Sequence, residues 1–121
     1  MNVAVLGASD NPERYSYKAV KLLQEKGHEV FPVHPTLKQI EGQKVYASLK
    51  ELPKPVDTLS VYVSKEVSSN LASEILGSGA CRVIFNPGAE NPELESRVSK
   101  QGMTALEACT LVLLRTNQFD R

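Results

Sequence analysis

Short apolar runs alternate with amphipathic stretches along this chain. Asn2 to Leu6 is apolar and stops at Gly7, a pattern that suits a strand buried on both faces of a parallel sheet. Ala19, Val20, Leu22 and Leu23 recur at helical spacing, and Gly27 is placed to end that helix. Val30-Phe31-Pro32-Val33 predicts a second strand, so the first 33 residues read as one βαβ unit. The segment from His34 to Pro55 carries Pro35, Gly42, Pro53 and Pro55, which predicts loops with room for a short helix at Ser48 to Glu51. Thr58 to Val63 is β-rich. Lys65 to Leu76 predicts one helix with Val67, Leu71 and Ile75 on one face, ended by Gly77 and Gly79. Cys81 to Phe85 reads as a strand followed by an Asn86-Pro87-Gly88 turn. Glu90 to Lys100 reads as a helix stopped by Gly102, and Met103 to Leu106 as a weak strand. Thr110 to Leu114 fits either a helix or a strand.

This alternation predicts an α/β chain with a three-layer, Rossmann-like, doubly wound parallel sheet of about five strands. A length of 121 residues fits one domain, 1–121, with no repeat or linker dividing it. Lys and Arg total 14 and Asp and Glu total 14, so no basic field exists to attract nucleic acid. The absence of tryptophan argues against stacking platforms for single strands. No apolar run is long enough for a bilayer, and the first residues lack the pattern of a signal peptide. Cys81 and Cys109 form neither a disulfide scaffold nor a CxxC metal pair, so a reducing cytoplasm is the expected setting.

In open α/β sheets a ligand lies beyond the carboxyl ends of the strands. Four loops are then of interest: 7–14, 34–42, 62–65 and 86–89. The first precedes a helix N-terminus, where backbone N–H groups and the helix dipole favour phosphate. Gly7 permits close approach, Ser9 can cap or donate, and Arg14 and Lys18 add charge. An ordinary capped turn is the plainer alternative. His34 and Lys38 could face a phosphate or adenine, or simply belong to a proline-bounded turn. Pro87-Gly88 could admit a ligand close to the backbone, or be only a type II turn. Cys81, opening an apolar strand, reads as core, and Cys109 as a small buried hydrophobe rather than a nucleophile. His28, on a turn, reads as solvent-facing.

The first loop is neither a GxGxxG fingerprint nor a P-loop, since Gly7 stands alone and no GK[ST] occurs. The second strand ends in Val33-His34-Pro35-Thr36 without the acidic residue that holds the ribose in NAD sites. Both features count against a nicotinamide dinucleotide.

Val5-Leu6-Gly7-Ala8-Ser9, Asn11-Pro12 with Arg14, the run Gly27 to Pro35, Ile40-x-Gly42, Tyr46-x-Ser48-Leu49 and Pro55-Val56-Asp57 occur in an order that resembles the small stand-alone CoA-binding domain proteins. These are similar to the CoA-binding domain of succinyl-CoA synthetase α subunits. The resemblance implies binding of coenzyme A or an acyl-CoA through the nucleotide-phosphate end. It implies that Gly7, Ala8 and Ser9 hold the pyrophosphate region, with Arg14 and Lys18 near phosphates. Val33, His34, Pro35 and Lys38 would surround the adenosine 3′-phosphate end, where most relatives have Asn-Pro. Ile40 and Gly42 match the following turn. Tyr62 and Val63 would border the pantetheine, and Pro87, Gly88 and Ala89 the far wall. Cys109 matches a cysteine common near the family's C-terminus. Phe85-Asn86 stands where many relatives have tryptophan and glutamine, and Tyr62-Val63 where many have an aromatic-basic pair. No histidine matches the phosphorylated histidine of the ligases, so the resemblance implies binding rather than catalysis.

Three readings follow: a CoA-binding protein without chemistry of its own; an NAD(H)-binding enzyme or redox sensor; and a protein-interaction module with a vestigial nucleotide site. Leu111 to Leu114 offers a homodimer or other protein contact if exposed, and core if buried.

Overall fold

The computed structural model describes residues 1–120; the expected domain, 1–121, ends one residue outside them. Its elements in chain order are β1 (Asn2–Leu6), α1 (Tyr15–Glu25), β2 (Glu29–Val33), β3 (Gln39–Ile40), β4 (Gln43–Lys44), a single 3-10 turn (Leu49–Glu51), β5 (Thr58–Val61), α2 (Lys65–Asn70), α3 (Ala72–Leu76), β6 (Arg82–Phe85), α4 (Pro92–Lys100), β7 (Thr104–Glu107) and α5 (Thr110–Arg115). Five strands form one sheet in the order β2-β1-β5-β6-β7. Every pairing in it is parallel. This is an α/β Rossmann-like fold.

Strand alternation sorts side chains onto two faces. Ala4, Leu6, Phe31, Val33, Leu59, Val61, Val83 and Phe85 pack with Ala72, Ile75, Leu94 and Val98 from α3 and α4. Val3, Val5, Val30 and Ile84 pack with Val20 and Leu23 of α1 and Leu114 of α5. The sheet is therefore covered on both sides, which is why its strands read as nearly unbroken apolar runs.

Ser60 breaks that run and is fully buried on the α5 face. Its hydroxyl lies 2.8 Å from Thr110 Oγ1 and accepts from Asn86 Nδ2 at 3.0 Å. The Asn86 amide also donates to the Val61 carbonyl, and its Oδ1 accepts from the Thr110 backbone N–H at 2.8 Å. Asn86 thus supplies, from the end of β6, the cap that Cys109 does not give α5. The same network fixes Thr110 to Leu114 as helix.

Four expectations change. The helix expected over 65–76 is two, broken at Leu71. Asn91 Nδ2 draws on the Ser68 and Ser69 hydroxyls and the Lys65 carbonyl, and Leu71 N–H divides itself between the carbonyls of Val67 and Ser68. The 34–55 segment contains the β3–β4 hairpin, with Glu41 and Gly42 both at positive φ. Cys81 is exposed, because β6 begins one residue later at Arg82. His28 faces inward: its side chain is only 6% exposed. Leu111 and Leu114 are buried, leaving Val112 as the exposed apolar residue of α5.

Candidate functional site

The carboxyl ends of β1, β2, β5 and β6 open into a cleft of about 590 Å³. It spans the point where the chain leaves β1, between β2 on one side and β5 on the other, so the helices after these strands lie on opposite faces of the sheet. That reversal opens the crevice.

Gly7 sets its floor. Its φ is +88°, and a Cβ there would stand 2.8 Å from Val63 Cγ1 and 3.2 Å from Val63 N. Only glycine fits both the conformation and the space. The N–H groups of Gly7 and Ala8 both donate to the Val33 carbonyl at 3.1 Å, which ties the loop to the end of β2. These two amides therefore spend their hydrogens within the chain and shape the floor. Beyond them the loop folds on its own side chains. Ser9 Oγ accepts from Asn11 N–H, and Asn11 Oδ1 accepts from Glu13 N–H, both at 3.0 Å. Because Ser9 Oγ accepts, its hydroxyl hydrogen remains free to donate.

Helix α1 enters the cleft by its N-terminus. Arg14 is its extended N-cap residue, no side chain caps it, and its first turn holds no acidic residue. The first helical bond runs from Lys18 N–H to the Arg14 carbonyl, so the N–H groups of residues 15–17 precede it. An anion at that end gains from these donors and from the dipole.

His34 forms the wall above β2. Its Nδ1 accepts from the backbone N–H groups of Thr36 and Leu37, each at 3.1 Å. The opposite end of the cleft is apolar, lined by Tyr62, Val63, Val67 and Pro87. The Tyr62 hydroxyl is buried without a hydrogen-bond partner. Burial raises its pKa first and the neighbouring Cys109 second; the Thr110 and Ser60 hydroxyls oppose the shift without reaching hydrogen-bonding geometry. Beyond Pro87, outside the lining, stand Glu90, Glu95 and Glu107. Glu107 is held above the usual carboxylate range, first by the neighbouring Glu95 carboxyl and last by the charge of Glu90. Arg14 and Asp10 are the charged side chains of the lining, both on the β1 loop, while the α1 N-terminus favours an anion there and the Glu90, Glu95 and Glu107 charges disfavour one beyond β6.

Of the residues singled out by sequence, Gly7, Ala8, Ser9, Arg14, His34, Pro35, Tyr62, Val63 and Pro87 line this one cleft. Lys18 does not. It sits one turn into α1, with Nζ 5.6 Å from the Tyr15 ring centroid, over a separate depression between α1 and α5. Val33 and Ala89 are buried beneath the loops, and Ile40 is buried in the α1-side core. Lys38 and Gly88 are exposed outside the lining, and Gly42 turns the β3–β4 hairpin. Asp10, Tyr15, Ser16, Leu37 and Val67 also line the cleft. Tyr15 and Val67 are 69% and 43% exposed, so both offer uncovered apolar surface at its mouth. Among the described residues no cluster of His, Cys, Asp and Glu could hold a metal ion. Among them, too, no helix is long and apolar enough to cross a membrane.

Known proteins resemble the chain over half to nearly all of its length. YneT of Bacillus subtilis, described as uncharacterized, is 34% identical over 104 residues, covering 86% of this chain and 77% of that protein. The alpha subunit of an ADP-forming acetate–CoA ligase II of Pyrococcus furiosus is 38% identical over 65 residues, which is 53% of this chain but 14% of that subunit. Among solved structures, protein ID.343 of Thermus thermophilus superimposes with a TM-score of 0.88 at 30% identity, covering 98% of this chain and 90% of that one. The family model described as a CoA binding domain matches residues 1–115. With that match over almost all of its length, the chain belongs to the CoA-binding domain family.

Proposed function

We propose that this protein binds coenzyme A, free or acylated, through its nucleotide-phosphate end and holds it without converting it. The supporting observation is the polarity of the cleft. One end joins the uncapped N-terminus of α1 to Arg14, the Ser9 hydroxyl and His34; the other presents Tyr62, Val63, Val67 and Pro87. Coenzyme A has the matching polarity, with an anionic nucleotide at one end and a less polar pantetheine arm at the other. The ligase relative's name includes the coenzyme and supports the ligand class, while its stretch of similarity is too short to carry its activity across. Binding without conversion accords with the groups present. The cleft's imidazole is engaged by its own turn, and Cys109 stands beside Tyr62 rather than in the lining. The exposed free thiol of Cys81 accords with a reducing cytoplasm.

Calorimetry on reduced, nucleotide-stripped protein tests the reading, with NADH as comparator. Coenzyme A should bind at micromolar Kd or tighter, about −8 kcal/mol or better. NADH should bind at least about tenfold more weakly, because no carboxylate follows β2 to hold a ribose. Absence of heat with coenzyme A, or tighter binding of NADH, overturns the proposal.

A further inference from the structure

The turn after β2 restricts what the cleft's one histidine can do. Thr36 N–H and Leu37 N–H each lie 3.1 Å from His34 Nδ1. A backbone amide donates only, so Nδ1 must present its lone pair to both. The proton of the neutral ring then resides on Nε2, at the far side of the imidazole. An imidazolium has no lone pair to offer and would break both contacts. A lysine or arginine at this position could not organise the turn at all.

Resting on coenzyme A as the ligand, we propose that His34 is a specificity-determining residue that acts as a neutral donor. Its Nε2–H gives one hydrogen bond to an acceptor oxygen on the nucleotide half of the ligand. The ring lines the β2 end of the cleft, whose β1 loop contributes Ser9 and Arg14 to the same lining, and β1 separates β2 from the strands β5 and β6 of the apolar end. Positive charge at this end comes from Arg14 and the α1 dipole, and His34 adds direction. A neutral donor at a fixed place favours an oxygen at that place, whereas a mobile cation attracts anions generally.

Two substitutions separate the roles of the ring. His34→Asn keeps an acceptor for Thr36 and Leu37 but its amide falls short of the position of Nε2. His34→Asp also keeps the turn, removes the donor and adds a negative charge. The amide NMR signals of residues 36 and 37 report whether the turn survives. Nitrogen NMR of the unsubstituted protein reports the tautomer without any variant or ligand. The expected results are an Nε2-protonated ring, about fivefold weaker binding for His34→Asn and about tenfold or more for His34→Asp. The same losses should appear with adenosine 3′,5′-bisphosphate, which carries the nucleotide half alone. A ring protonated on Nδ1 would overturn the proposal. So would wild-type affinity in His34→Asn with its turn intact, or a penalty seen with coenzyme A but not with the bisphosphate. Failure of the unsubstituted protein to bind coenzyme A would overturn the ligand reading, while the tautomer would still stand or fall by its own spectrum.

Discussion

The two histidines of the chain bracket one strand, β2, and meet opposite fates. At the amino end, His28 is engaged on every side. Its Nδ1 lies 3.2 Å from the Met1 amine and its Nε2 lies 3.4 Å from the Asp120 carboxylate. Its ring meets Phe119 edge-on at 5.2 Å, and the Arg82 guanidinium covers the same phenylalanine at 4.6 Å. Phe119 is 1% exposed, so this cluster pins the segment after α5 beneath the sheet. At the carboxyl end, His34 gives Nδ1 to its own turn and, in the proposed reading, Nε2–H to the ligand. The same division separates the surrounding groups. The groups that touch His28 are engaged within the chain, whereas the carboxyl end presents a helix with no side-chain cap and a serine hydroxyl whose hydrogen is left to donate. The proposed ligand site lies at the end whose polar groups are turned toward the cleft.

The largest effect should come from the amino end. Phe119→Ala empties a fully buried aromatic site and should cost about 3 kcal/mol of stability, read from denaturant unfolding. Coenzyme A affinity should stay within about twofold, since distant sites act independently. A large loss of affinity would dissolve the separation between the two ends.

At the carboxyl end, Gly7→Ala forces a Cβ onto Val63 at a positive φ. Strain and clash together should cost about 2 kcal/mol. Here affinity should fall at least about tenfold, because the cleft floor and the adjoining Val63 wall move together. A stability loss without an affinity loss would place the ligand elsewhere.

The smallest effect is one of pH. Burial, followed by the Met1 amine, lowers the pKa of His28 below 6.5, and the Asp120 charge only partly opposes it. The unfolded chain therefore binds this proton more readily than the folded one. The contribution of His28 is complete above pH 6.5 and is lost as pH falls through its lower folded value. Thermal midpoints should thus drop more steeply between pH 7 and 5 in the unsubstituted protein than in His28→Gln. Parallel curves would mean that the cluster is insensitive to protonation.

Much of the fold was legible because both faces of the sheet are covered. Runs such as Val3-Ala4-Val5-Leu6 and Val83-Ile84-Phe85 have few alternatives to a buried parallel strand. What escaped depends on distant partners. The break at Leu71 is drawn by Asn91, some twenty residues on, and the helical state of Thr110 by Asn86. The β3–β4 hairpin turns through Glu41-Gly42, a pair lacking the Asn-Gly or Asp-Gly signal of such turns. At the cleft, the loops were legible from their place after the strands, but side-chain direction was not. Lys18 lies one helical turn from Arg14 yet faces α5, and in the extended segment Leu37 lines the cleft while Lys38 lies outside its lining. The resemblance named His34 for its position. Its value as an acceptor for its own turn becomes visible only with the backbone of Thr36 and Leu37 in place.

Amide NMR mapping of coenzyme A on labelled protein tests the central claim most directly. The non-proline residues of 7–16, 34–37, 62–67 and 87–89 should shift on titration, while residues 26–28 and 117–120 stay fixed. Shifts centred on the α1–α5 depression, or on His28 and Phe119, would contradict the assignment of the ligand to the carboxyl ends of the strands.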